Sequence, residues 1–208
     1  MQDPTDLLPL LDQALSRVGN DPRRVWCESS LDFESRVTSD SAELCGGLWS
    51  PMFLGTETKP AHEMGLEGET AVCRVANARA PFGDWLPMLE AAVQAKVQLL
   101  LVTGEIDDVL LMTLIVNHTR DALHNAVVHA GPPRPGPRVH ADVPRDVDAF
   151  PRARRVWSRR TATAIFPQDP ARWEAPLTQI AVIEVGGVHA ADQLERLAWV
   201  QRLLAERS

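Results

Sequence analysis

The sequence holds little that would carry it into a membrane or onto a nucleic acid. Its longest apolar runs, Leu99–Val102 and Val109–Met112, fall far short of the roughly 20 residues that a membrane-spanning helix needs. The start, MQDPTDLL, has no basic stretch ahead of an apolar one, so neither signal peptide nor anchor is expected, and a cytoplasmic location is. Cationic charge is scarce. Lys and Arg total 21 against 28 Asp and Glu, a net charge of −7, and phosphate affinity is built mainly from clustered cations. The exception is a run of six arginines between Arg145 and Arg160, but Asp146 and Asp148 dilute it and no aromatic pattern accompanies it. It reads as a solvated face, with no nucleic-acid partner. Cys27, Cys45 and Cys73 are odd in number and form no CxxC pair, which fits buried thiols in a reducing compartment.

Catalytic signatures are also missing. No GxSxG elbow, GxxxxGK[ST] loop or GxGxxG turn follows any predicted strand. The carboxylates Glu105, Asp107 and Asp108 stand where a strand gives way to a helix. Their simplest role there is to cap the helix and offset its dipole. His118, His124, His129 and His140 form none of the close pairs that aim two imidazoles at one ion, so neither metal nor cofactor is expected.

What is present is an alternation of strands and helices. Asp6–Val18 has the apolar spacing of an amphipathic helix, Arg24–Cys27 reads as extended, and Glu28–Glu43 is polar without a clear period. Gly46-Gly47 breaks the backbone, and the following Leu48–Phe53, crossed by Pro51, is no central strand. Thr56–Gly68 reads as a loop. Thr70–Ala76 then starts a β-α-β-α-β unit that continues through a helix capped by Asp84 with Pro87 in its first turn, strand Gln98–Thr103, helix Asp107–Arg120 and strand Asn125–Ala130. Gly131–Arg138 reads as a polyproline-like surface loop. Arg154–Phe166 forms two short strands, Gln179–Val185 another, and Ala190–Glu206 a helix burying Leu194, Leu197, Ala198 and Leu204. The anomaly is the second helix of the β-α-β-α-β unit. Between Val109 and Val116 only Thr113 is polar, and a helix apolar all round must be covered all round or leave a face bare to hold something.

Several segments in one order resemble the group I, GroEL-type chaperonins. They are Gly47–Phe53, Leu86–Ala91 (LPMLEA), the strand LLLVTGE, Thr113–Asn117, the strand AVVHA, the pair around Arg155-Val156-Trp157 and Thr161–Ile165, and Ala181–Gly186 (AVIEVG). The resemblance implies an α/β chain with an apical-domain-like parallel β-α-β-α-β core and flanking strands at 45–177. It also implies a small α+β intermediate-like domain formed by 1–44 and 178–208. It finds no counterpart of the equatorial domain with its phosphate loop. Arg202 stands where the family's catalytic aspartate is expected, so the resemblance implies no ATPase and no enzyme.

It further implies a polypeptide-binding groove lined by Leu48, Met52, Phe53, Leu86, Leu89, Leu111, Ile115 and Val116, all apolar here. Substituting Leu111 and Ile115 by Ser is expected to abolish capture and spare the fold. The expected partners are non-native polypeptide or a dedicated protein, such as a chaperonin or co-chaperonin, and a homo-oligomer is compatible with the same face. Burying an apolar side chain contributes about 1.5–3 kcal/mol, whereas association costs an estimated 4–15 kcal/mol, so a single groove binds weakly. Rings offset this by presenting many grooves at once. The alternative is a structural or regulatory subunit whose apolar face another chain covers permanently. An enzyme acting at the Glu105/Asp107/Asp108 end of the sheet is physically allowed, but no nucleophile or cofactor loop accompanies those carboxylates.

Overall fold

The computed structural model describes residues 4–54, 63–130, 143, 146–187 and 190–207. They form mixed α/β structure, and the chain divides into two compact units, one of residues 1–42 with 177–208 and one of residues 43–176. Among the described residues no helix is long and apolar enough to cross a membrane.

In the first unit a 3-10 turn at Pro4–Leu7 leads into helix α1 (Leu8–Arg17), followed by strands β1 (Val25–Ser29) and β2 (Arg36–Gly46). Strand β8 (Thr178–Val185) lies between them, parallel to β1 and antiparallel to β2. Helix α1 and the C-terminal helix α4 (Ala190–Arg207) enclose a core of Leu7, Leu11, Ala14 and Leu15 with Val25, Ile183, Val200 and Leu204. Two expectations fail here. The polar stretch before residue 43 contains most of β2, whose Thr38, Ser39, Asp40 and Ser41 are solvated or half-solvated and hide the alternation. In α4 Leu204 is buried as expected, but Leu194 and Ala198 face water. The buried side is carried by Arg196 and Val200 instead.

The second unit takes the last residues of β2 and adds β3 (Met64–Val75), β4 (Gln98–Thr103), β5 (Asn125–His129), β6 (Arg152–Ser158) and β7 (Ala162–Pro167), in the order β2-β7-β6-β3-β4-β5. Strands β3, β4 and β5 are parallel and the remaining pairs antiparallel. Helices α2 (Phe82–Ala95) and α3 (Asp108–Thr119) make the two crossovers. Because the strand order advances one way and crossovers are right-handed, both helices fall on one face, side by side and with the same polarity. Leu99, Leu101 and Val127 share the face of Asn125, which bonds to α3, while Leu100 and Val128 point to the opposite face, and both sets belong to one core with Trp85, Met88, Leu110 and Leu114.

Strand β3 starts six residues before the expected strand. Gly65 and Gly68 made Met64–Gly68 look like a loop, but the pairing with β6 runs through it and shifts register between Glu67 and Thr70, where Gly68 adopts φ +103°. That left-handed value suits a glycine at a bulge. Helix α2 also starts early. Pro81 precedes it, Asp84 sits in its first turn without capping, and Pro87 lies inside the helix rather than at its start. Gly47 is held by close approach, since a Cβ there would lie 1.9 Å from the Arg160 carbonyl oxygen. Within the arginine run, Arg152 pairs with Glu69 and Asp148, Arg155 with Glu67, and Arg159 with Glu63. Cys27 and Cys73 are buried and none of the three cysteines is bridged. Burial pushes the Cys73 thiol up to about 12 against the opposing pull of Arg74. The polyproline-like Gly131–Arg138, His140 and most of Thr56–Gly68 before Glu63 lie outside the described residues.

Candidate functional site: the apolar face of α3 and its neighbours

Helix α3 begins on Asp107, whose carboxylate accepts hydrogen bonds from the backbone N–H groups of Val109 and Leu110 at 2.9 and 3.2 Å. That satisfies two of the orphan donors of the first turn. Glu105 pairs with Arg79 at 3.3 Å. Asp107 is therefore a cap and Glu105 an ion-pair partner in this arrangement. At the other end, Asn125 at the start of β5 donates to the Leu114 and Leu123 carbonyls at 3.0 and 2.8 Å, which fixes the helix against the sheet.

The inner side of α3 is carried by Leu110, Leu114 and Ile115, all buried. Its outer side is apolar as well. Val109, Met112 and Val116 are exposed at 59%, 49% and 38%. Together with Asp108, Thr113 and Asn117 they line a shallow trough along the helix. Thr113 does little to break the apolar character, because its hydroxyl donates back to the Val109 carbonyl at 2.7 Å. On α2, Leu86 and Val93 are exposed two turns apart and form a parallel stripe.

The eight residues expected to line a groove divide into two sets. Met52, Leu86 and Val116 are exposed and Leu111 is half-buried. Leu48, Phe53, Leu89 and Ile115 are buried in the core of the unit. Leu48 bridges to Val128 of β5, and the Phe53 ring meets His118 edge-on with centroids 5.6 Å apart. Side chains so enclosed stiffen the surface from behind and cannot touch a segment lying on it. Substituting Ile115 by Ser, the expected probe of capture, instead puts a hydroxyl into the core and leaves a cavity, so it reports on stability. Val109, Met112 and Val93, exposed on the same two helices, are not among those eight. The signal was available, because stepping back from Val116 by four and then three residues reaches Met112 and Val109, one stripe of a helix.

The titratable groups nearby are histidines. Burial pulls the His118 imidazole below its ordinary value, helped by the adjacent charge of His124 and opposed by Asp121 and a hydrogen bond to the Phe53 backbone. Burial lowers His129 as well, and its ring stacks on Trp49 with centroids 4.0 Å apart. Among the described residues no cluster of His, Cys, Asp or Glu could hold a metal ion.

No family model matches the chain. It is 32% identical over 118 residues, 56% of its length, to Chaperonin GroEL 1 of Corynebacterium diphtheriae. Among solved structures it is similar to the chaperonin gp146 of the bacteriophage EL 2 (Pseudomonas aeruginosa). That match has 11% identity and a TM-score of 0.48, covering 88% of this chain and 45% of the other. The chain spans about a fifth of the length of the curated relative. It is thus similar in sequence to a group I chaperonin over somewhat more than half of its residues.

Proposed function

We propose, starting from that likeness, that the chain is a chaperone-like binding module. In this reading residues 43–176 act as an apical-like unit, residues 1–42 and 177–208 act as an intermediate-like unit, and an apolar polypeptide segment is held on the α2–α3 face without ATP. The observation that carries the reading is the bare apolar stripe of Val109, Met112 and Val116 on a helix whose other side is fully packed. Such a stripe costs solubility and adds nothing to the fold, which is what an interaction surface looks like.

The module has no catalytic step in this reading, and Arg202 is exposed on α4 where a carboxylate would be needed to position water. Its partners are non-native polypeptide or a dedicated protein such as a chaperonin or co-chaperonin. Affinity is modest. Each half-exposed side chain gains about 1 kcal/mol on full burial, half the usual core value, so losing Val109, Met112 and Val116 together removes about 3 kcal/mol of any binding made there.

The test is fluorescence anisotropy with a labelled peptide of about twelve residues carrying three aliphatic side chains, against the wild type and the triple variant Val109→Ser, Met112→Ser, Val116→Ser. Capture at micromolar concentration that drops at least tenfold in the variant, with the unfolding midpoint unchanged, supports the reading. Equal binding by both proteins sinks it. A wild type that is a fixed oligomer by light scattering and ignores peptide supports instead a subunit whose face a partner chain covers.

A further inference from the structure

Four methionines fall among the described residues, and they divide by exposure. Met64 and Met88 are buried in the core of the second unit, whereas Met52 and Met112 are open to water at 48% and 49%. Met112 holds the middle of the α3 stripe, three residues after Val109 and four before Val116, which makes it the helix-surface neighbour of both. Met52, on the 3-10 turn Pro51–Leu54, is not among the residues that line the trough.

Within that lining the Met112 thioether is the oxidisable group. Val109 and Val116 are inert, and an exposed thioether takes an oxygen atom from a peroxide to become a polar sulfoxide. On the bare face water solvates the new oxygen. Under a docked aliphatic segment that water is lost, and the groups alongside do not replace it. Thr113 keeps its hydroxyl hydrogen on the Val109 carbonyl, the ionised Asp108 only accepts, and Asn117 stands five residues further on, beyond Val116. A sulfoxide buried there has no donor and opposes binding. The fold is spared, because the packed side of α3 is Leu110, Leu114 and Ile115.

We infer that Met112 is an oxidation site that turns the α3 face off, with a peroxide as the oxidant. The Sδ lone pair attacks one oxygen of hydrogen peroxide and the O–O bond breaks. That oxygen stays on sulfur, and the other leaves as water after taking its proton. Sulfur is oxidised by two electrons and the peroxide reduced by two. The inference rests on the reading of this face as a peptide-binding surface. A segment lying on the stripe covers the same sulfur, so occupancy protects Met112 and leaves Met52 as reactive as before.

In the experiment the full chain is treated with hydrogen peroxide, freed of it and incubated with dithiothreitol, which returns sulfenates and disulfides to thiols and leaves sulfoxides in place. Peptide mapping by mass spectrometry reads each methionine, and anisotropy with an aliphatic peptide free of Met and Cys reads capture. Met52 and Met112 are expected to convert about tenfold faster than Met64 and Met88. Affinity should fall about fivefold with the unfolding midpoint unchanged, and methionine sulfoxide reductases should restore it. Whatever its untreated affinity, Met112→Leu should bind equally before and after peroxide, whereas Met52→Leu should lose as large a factor as the wild type. Saturating peptide during treatment should slow conversion of Met112 and not of Met52. Unchanged affinity with Met112 fully converted, a loss that persists in Met112→Leu, or no protection by peptide overturns the inference and leaves apolar capture standing. A midpoint that falls together with the affinity overturns it as well, since the damage is then to the fold. If the untreated chain captures no peptide, the proposed function falls and takes this inference with it.

Discussion

Helices α3 and α4 break the same rule in opposite directions. Helix α3 has more apolar residues than its contact with the sheet can use and turns Val109, Met112 and Val116 to water. Helix α4 is mostly polar, yet buries an arginine. Arg196 is 4% exposed, donates to the Gly186 carbonyl at 2.6 Å and reaches both carboxylate oxygens of Asp6 at 3.0 and 2.9 Å. Burial in each is decided by what stands opposite the helix, and composition is a poor guide to it. Where the neighbour is a strand lined with Leu and Val, apolar side chains fill the space. Where it is a glycine carbonyl and a carboxylate, only a multi-donor cation satisfies it.

The comparison can be broken most directly within α3. Leu114→Ala, on the packed side, is expected to cost about 2–5 kcal/mol, whereas Met112→Ala, two residues away and half-exposed, should stay within about 0.5 kcal/mol. Urea unfolding of the two variants measures the contrast, and similar values would mean that α3 has no distinct outer side. The next effect belongs to α4. Asp6→Ala leaves the buried Arg196 guanidinium without its carboxylate and is expected to cost about 2–3 kcal/mol, somewhat below the range for a fully enclosed pair because Asp6 is half-exposed. Adding Arg196→Met to that variant should restore much of the loss, since an apolar side chain of similar length needs no partner. A double variant no more stable than Asp6→Ala would show that Arg196 holds Gly186 rather than merely filling space.

The smallest effect is a slope. The folded-state pKa of His118 lies below its unfolded value, chiefly through burial, so the unfolded chain binds the proton more readily. The stability this histidine contributes is present above the unfolded value, near pH 6.5, and is lost as pH falls toward the folded one. Thermal unfolding at pH 7.5 and 5.5 should therefore show a lower midpoint at pH 5.5. His118→Gln should narrow the difference, and an unchanged difference would place its origin elsewhere.

The parallel core was legible because each of its parts follows one period. Gln98–Thr103 carries a continuous apolar run suited to a strand buried on both faces, and Asp107 announces the helix that it caps. Strand β2 was not legible, since much of its length is half-solvated and shows no alternation. The buried face of α4 was missed for a related reason, because Arg196 does not register in an apolar count. Of the site, the sequence showed that α3 was too apolar but could not show which of its residues the sheet would take. That depended on the short segment Pro51–Leu54, whose Phe53 ring meets His118 of α3.

The close approach of Gly47 to the Arg160 carbonyl has a consequence for aggregation. It lets the chain run back along the outermost strand of the second unit, where Trp49 N–H donates to the Val127 carbonyl at 2.9 Å and His129 N–H to the Gly47 carbonyl at 3.0 Å. These are hydrogen bonds that an incoming strand would otherwise make, so this edge is closed to strand addition over Val127–His129. A molecule that shows sticky side chains while sheathing that row of backbone groups can be adhesive without seeding fibres there. In the proposed reading, a segment resting on it would be gripped by removable side-chain contacts, outside the hydrogen-bonded ladder.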